Sequence, residues 1–340
     1  MKNKIYSASF SIFFFSLLLF QLAIPNLSLD SVSGGFRWRM ALIRKFNAFR
    51  LAVGDRIFNE GLVGKEGWLF YTGDYSIHDY QKTGLMGPNR LKDIAEILTR
   101  LDLQTKQNGG RMWALIPPDK NTIYPQYMPD EIPVIGEVSR LDQLTDYLRK
   151  NADINLLDLR PLFRETGRFG QIYYKADAHW NCLGAYYAAS ELLTQIGFLH
   201  PEVETHPLTD YEFETAADST LDIAGVMGLS LQEETVVLKP KFPVAPISRA
   251  SDERHDALKI AVNSETGLPE ALVIHDSFYT ECFDQFIEPQ FSRVMSSHYE
   301  KADFSDYMNW IETEQPDAVI VEFAERHIEY FFSSMTRKGK

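Results

Sequence analysis

Several features are scarce in this sequence, and each scarcity narrows the reading. The body carries no internal repeat and no low-complexity tract, so a repeat array or a disordered scaffold is not expected. No Gly-x-Ser-x-Gly occurs, so the serine elbow of ordinary α/β-hydrolases is absent. Positive charge is scarce beyond the N-terminal region: residues 61–340 hold 26 Lys/Arg against 44 Asp/Glu, a net −18. A phosphate backbone would repel such a body, which argues against a nucleic acid partner. A strongly anionic polymer is an awkward substrate for the same reason. There are only two cysteines, Cys182 and Cys282. They either pair in an oxidising compartment or are two small buried residues. Each follows a segment with catalytic potential.

Charge is also missing from Ile5–Ile24, a run rich in Phe and Leu that follows Lys2 and Lys4. About 20 apolar residues suffice to span a bilayer as a helix. The flanking lysines favour the cytoplasm, which turns the body outward. Gln21–Asp30 offers no pair of small residues for cleavage, so an uncleaved anchor is preferred over a removed signal peptide. The expected plan is a signal anchor at 1–30, a basic amphipathic linker at 31–62 and a body at 63–340. In a bacterium this describes a single-pass inner-membrane protein with its body in the periplasm. Within the linker, Leu42, Ile43, Phe46 and Phe49 recur at helical spacing among Arg39, Arg44, Lys45 and Arg50. Two readings stand: a helix on an anionic membrane surface, or a helix packed on the body.

The body alternates helical and strand patterns. GKEGWLFYTGDY, from Gly64, reads as a turn entering a strand. Helices are expected at 91–107, 137–150 and 183–196, and strands at 112–117, 154–159, 271–276 and 317–323. This rhythm predicts an α/β fold, a three-layer sandwich around a mostly parallel sheet. Residues 200–265 break it, being acidic with short apolar pieces, and read as an insertion or lid beside the sheet.

Three segments attract attention for chemistry: Asp177–Asn181, His275–Tyr279 and Pro118–Tyr124. Ser277 follows the strand ALVIHD (271–276), where α/β folds place ligands. Backbone N–H groups of the next turn would face a developing oxyanion there. A serine hydroxyl needs a base, and His179 is the candidate. Asp177 lies two residues before it, on the same side of an extended segment. It would hold one ring nitrogen and leave the other for Ser277. Two other readings remain open on these residues alone. Asp177, His179, His275 and Asp276 are reasonable ligands for a hydrolytic metal site. Ser277 is also a plausible helix cap and His179 a structural histidine.

Six segments in order carry a family resemblance: VGKEGWLFY (63–71), IPPDKNTIYPQYMP (116–129), DAHWNCLGA (177–185), VIHDSF (273–278), FSRV (291–294) and PDAVIVEFAER (316–326). Together they resemble the alginate O-acetyltransferase family of SGNH hydrolase-like proteins, the AlgJ/AlgX type. The resemblance implies Asp177, His179 and Ser277 as the catalytic set, with the serine after the Asp/His pair, the reverse of ordinary SGNH esterases. It implies transfer of acetyl groups onto hydroxyls of an exported polysaccharide through an acetyl-serine; a periplasmic carbohydrate acetyl esterase with the same triad, or a non-catalytic polysaccharide-binding or assembly subunit, stays open as the alternative. No cofactor or metal is implied; the acetyl donor would be a multi-pass membrane acyltransferase. Lys120, Tyr124, Tyr279 and Arg293 are implied near substrate. One position departs from the family pattern: His275 stands where glycine usually precedes Asp-Ser. Its side chain would crowd the turn, bond to Asp276 or line the pocket.

Overall fold

The computed structural model describes residues 32–335 apart from 219, 253, 254 and 266. Contacts divide the chain into residues 1–55 and 56–340. The expected anchor, Ile5–Ile24, lies outside the described residues. Among those described, no helix is long and apolar enough to cross a membrane. In the first unit, helix α1 (Val32–Ala52) covers most of the expected amphipathic stretch. Leu42, Phe46, Phe49 and Val53 are exposed and share one helical stripe. Arg50 pairs with Asp55 at 2.7 Å just past the helix.

The second unit opens with a small antiparallel sheet of β1 (Ile57–Phe58), β2 (Gly61–Val63) and β3 (Leu69–Tyr71). Then come α2 (Ser76–Gln81), α3 (Pro88–Gln107), β4 (Arg111–Ile116), α4 (Lys120–Ile123), α5 (Arg140–Asn151), β5 (Asn155–Asp158), α6 (Arg160–Thr166) and α7 (Cys182–Gly197). The chain continues through β6 (Tyr211–Asp218), α8 (Asp222–Val226), β7 (Glu233–Pro240), β8 (Ile247–Asp252), β9 (His255–Asn263) and β10 (Glu270–His275). It ends with α9 (Asp284–Ile287), β11 (Arg293–His298), α10 (Phe304–Glu314), β12 (Ala318–Glu322) and α11 (Ile328–Met335).

Local sequence explains the main elements. Pro88 starts α3, where its missing N–H costs nothing. Ser139 and Asp142 form a capping box at the start of α5, as Asp303 and Asp306 do for α10. The apolar runs of β4, β10 and β12 are buried on both sides, as parallel central strands require.

The central sheet has the order β5-β4-β12-β10-β11-β9-β8. Its first five strands run parallel, and β9 and β8 add antiparallel. Alternate residues of one strand face opposite sides. Met112, Ala114, Leu272, Ile274, Val319 and Val321 pack with α3, α5, α10 and α11. Trp113, Leu115, Ala271, Val273, Ala318 and Ile320 enter a second core with α7 and the small sheet. Two cores flanking one sheet make three layers.

The stretch 200–265 is not uniformly an insertion beside the sheet. β6 and β7 form a separate antiparallel hairpin, but β8 and β9 extend the central sheet. Leu258 and Ala261 of β9 are buried while Lys259 and Val262 are exposed. A strand such as β9, next to the sheet's edge and half open to solvent, has little apolar signal in its sequence, which is why the stretch read as irregular.

Candidate active site

β4, β12 and β10 run parallel, so their C-terminal ends share one edge of the sheet. Open α/β sheets hold ligands along that edge. β10 ends at His275, and Asp276 and Ser277 follow. Asp276 is fully buried. Its carboxylate accepts the N–H groups of Phe278 (2.9 Å) and Ala324 (2.8 Å) and meets His327 Nδ1 at 2.7 Å. Burial alone would raise its pKa, but His327 and the two N–H groups outweigh burial and hold it well below the usual carboxylate range. This buried anchor fixes the turn that presents Ser277.

The loop between α6 and α7 carries the other partners. Tyr173 and Trp180 form an isolated antiparallel bridge, which puts residues 174–179 at the tip of a short hairpin. Asn181 caps α7 through the N–H groups of Leu183 and Gly184, both at 3.1 Å, and its amide donates to Gln171 O at 2.8 Å. A Cβ on Gly184 would collide with the Ile172 carbonyl, so α7 approaches this closely only because that residue is glycine. The Trp180 indole donates to Phe278 O (3.1 Å) and Glu281 O (2.9 Å), joining the histidine loop to the serine turn. A disulfide between Cys182 and Cys282, with Cα atoms 5.1 Å apart, joins the same two segments across 100 residues of sequence. Cys282 has a φ of 64°, in the left-handed region that side-chain-bearing residues seldom adopt.

Asp177, His179 and Ser277 form one hydrogen-bonded chain. His179 Nδ1 lies 2.7 Å from Asp177 Oδ1, and His179 Nε2 lies 2.7 Å from Ser277 Oγ. Asp177 Oδ1 also accepts the His179 backbone N–H (2.9 Å), and Oδ2 accepts the Asp222 N–H (2.6 Å). Burial would raise the Asp177 pKa, but His179 and these N–H groups push it far down. Burial would lower the His179 pKa, yet Asp177 and then Asp222 raise it above the ordinary imidazole value. A neutral His179 in this geometry can take the Ser277 proton while Asp177 steadies the cation formed.

The other expected residues do not converge on this point. Lys120 is buried beneath the histidine loop. Its ammonium donates to the carbonyls of Asp177 (2.7 Å), Lys175 (2.9 Å) and Tyr174 (3.1 Å). Burial pushes its pKa down to about 7 against the pull of Asp177, Asp222 and Glu233. Tyr124 is buried too; its hydroxyl accepts the Ile172 N–H at 3.0 Å, bracing the base of that loop. Tyr279 is buried against the His275 ring, with centroids 4.5 Å apart. Arg293 pairs with Glu314 (2.8 Å) and Glu270 (3.3 Å), at the end of β10 remote from Ser277. Trp68 and Trp180 are buried.

His275 does not crowd the turn: its Nδ1 bonds to the Asp276 carbonyl at 2.7 Å, and the ring is buried. Burial lowers its pKa to about 4, keeping it neutral. His275 and Asp276 therefore have partners of their own and do not join Asp177 and His179 as one ligand set. Of the backbone N–H groups in the turn expected to face an oxyanion, that of Phe278 is engaged by Asp276. Sequence reading missed Asp222, whose carboxylate lies 3.6 Å from His179 Nδ1. It also missed His327, which pairs with Asp276. Asp222 carries no local signal, being one acid in an acidic stretch. His327 lies just past the PDAVIVEFAER segment, the one hint available.

A mostly parallel sheet with a Ser–His–Asp chain at the C-terminal edge of its parallel strands is the layout of an SGNH hydrolase-like protein. The model of the family described as "SGNH hydrolase-like domain, acetyltransferase AlgX" matches residues 62–298, and the chain belongs to that family. A relative from Pseudomonas syringae pv. tomato, described as a probable alginate O-acetylase AlgJ, is 28% identical over 170 residues, 48% of this chain and 42% of that protein. The chain thus spans less than half the length of this curated relative. The structure of Bacillus cereus PatB1 shares the fold at a TM-score of 0.60 and 15% identity, covering 80% of this chain and 98% of that one. The O-acetyltransferase domain of Pseudomonas putida AlgJ shares it at 0.50 and 16%, covering 82% and 93%.

Proposed function

We propose that this protein is an O-acetyltransferase acting on hydroxyls of an exported polysaccharide through an acetyl-Ser277 intermediate. The observation that carries this is the chain from Ser277 Oγ through His179 to Asp177, with both links at 2.7 Å. Ser277 Oγ attacks the acetyl carbonyl of the donor as its proton passes to His179 Nε2. The tetrahedral intermediate collapses, and the departing donor group takes that proton. A sugar hydroxyl then gives its proton to His179 and attacks the acetyl-serine. Ser277 leaves, recovers the proton, and the sugar carries the new ester. Asp177 orients the ring throughout and balances its charge. His179 has the raised pKa that a base facing a carboxylate acquires.

The same reading covers setting and partners. Residues 1–30 act as an inner-membrane anchor with the body in the periplasm, beside a multi-pass membrane acyltransferase that supplies acetyl groups. The relative's name makes alginate the first acceptor to test. The net −18 of residues 61–340 makes a neutral polysaccharide the natural competitor.

The test uses the purified full chain in detergent, a chromogenic acetyl ester as donor, and oligosaccharides as acceptors. Acetate release that depends on Ser277, with acetylated sugar formed when acceptor is present, is expected. Release to water alone, unchanged by acceptor, makes the protein an esterase. Release that survives Ser277→Ala but not a chelator overturns the serine mechanism.

A further inference from the structure

Asp177, His179 and Asp222 bring one polar atom each within 4.8 Å of one another, although the His and the second Asp lie 43 positions apart in sequence. The first residue of α8 is Asp222 itself, and backbone bonds clamp this helix to the histidine loop. Asp222 N–H donates to Asp177 Oδ2 (2.6 Å), Ala178 N–H donates to Asp222 Oδ1 (2.7 Å), and Ala224 N–H donates to Ala176 O (3.1 Å). Each aspartate thus accepts an N–H from the other's segment. Asp222 Oδ1 also takes the Ile223 N–H. The remaining oxygen, Oδ2, stands 3.6 Å from His179 Nδ1. That is too long for a hydrogen bond but close for a charge contact.

We propose that Asp222 is a positioning residue for His179: a second carboxylate on the Nδ1 side of the ring that, with Asp177, holds the imidazolium formed when Ser277 gives up its proton. The proposal rests on the acyl-transfer reading above. The two carboxylates divide the work. Asp177 makes the directed hydrogen bond that sets the tautomer. Asp222 locks the loop through Oδ1 and adds charge through Oδ2.

Among the described residues, charged groups from several elements act on the ring. Asp177 comes from its own loop, Asp222 from α8, Glu281 from the turn after Ser277, and Arg326 from the segment after β12. Arg326 is buried and opposes protonation of His179, while Asp177 and Asp222 favour it. The Asp222 side chain is 39% exposed against 10% for Asp177, so solvent weakens its pull. Burial and Asp177 raise its own pKa; His179, Arg326 and the Ala178 N–H oppose.

The test measures ester cleavage by the full chain against pH for the wild type, Asp222→Asn, Asp222→Ala, Asp177→Asn and the double Asn variant. Asparagine keeps the Oδ1 acceptor for Ala178 but removes the charge. Its acid limb in kcat/KM, which reports neutral His179, should move down by about one pH unit. Its plateau kcat should fall about tenfold with KM nearly unchanged. Asp177→Asn should keep a residual rate that the double variant loses, by more than the product of the single effects. An acid limb that stays in place with kcat near wild type overturns the proposal, even if Asp222→Ala is inactive, because Asp222 then only ties the loop. Ser277→Ala separates this from failure of the parent reading. If Ser277→Ala stays active, the acyl-serine mechanism falls. If it is dead while the limb is unmoved, only the role of Asp222 falls.

Discussion

Two Asp–His pairs flank Ser277. In both, a buried aspartate meets the histidine Nδ1 at 2.7 Å, Asp177 with His179 and Asp276 with His327. In both, the aspartate also accepts backbone N–H groups, and the histidine pKa is raised. They differ at the far nitrogen. His179 Nε2 meets the Ser277 hydroxyl at 2.7 Å. His327 Nε2 faces a second carboxylate, Asp74, at 3.7 Å. A proton on the first ring can travel to a reacting oxygen. A proton on the second is held between two anions, so the pair works as a brace. On the proposed reading, the same pair of residue types serves as a base or as a strut according to its third partner.

Removing either end of the first pair's relay tests this contrast most strongly. Ser277→Ala and His179→Ala should each lower acetyl release by a thousandfold or more, on the order seen when triad members are removed. His327→Gln should lose far less activity, about tenfold or under, because it acts through Asp276. If His327→Gln is folded yet as inactive as His179→Ala, the comparison breaks.

How much of this was legible depended on how local the cause was. The strands β4, β10 and β12 showed as apolar runs because they are buried on both faces. Asp177 and His179 showed through an i, i+2 spacing, and Ser277 through its place after a strand. Lys120 was expected near substrate through the family resemblance; only the fold reveals the three carbonyls converging on its ammonium beneath the histidine loop. Asp222 and His327 act across long sequence separations on partners that no pattern near them announces. β11 was overlooked because RVMSSH alternates weakly, although Val294, Met295, Ser296 and Ser297 are buried.

Lys120→Met should come next in effect. It leaves three carbonyls beneath the histidine loop without their donor, a loss of about 3 kcal/mol in stability and of tenfold or more in rate. Urea unfolding and initial rates check it. If the rate holds while stability drops, the loop keeps its geometry without this tie.

Stability against pH sharpens the contrast further. His327 has a raised pKa, so its contribution is fully present below the unfolded imidazole value of about 6.5 and is lost as pH rises through the folded one. Asp276 has a lowered pKa, so its contribution is present above about 3.9 and is lost as pH falls through the folded value. The wild-type advantage in Tm over His327→Gln should therefore be largest at about pH 5–6 and shrink above about pH 7. An advantage that grows with pH contradicts the brace. The smallest effect belongs to Arg293→Gln, remote from Ser277, which should change acetyl release less than about twofold. A large loss there would bring the far end of β10 into the reaction.

The bond between Cys182 and Cys282 has a consequence of another kind. It closes a loop of 100 residues, worth about 4.7 kcal/mol by chain entropy, and its ends lie three residues past His179 and five past Ser277. While the thiols stay reduced, the halves of the relay are held mainly by the Trp180 indole and the packing around it. The thiols' redox state thus sets how firmly two distant segments meet: the bond ties the histidine loop to the serine turn, and its reduction leaves them more loosely joined.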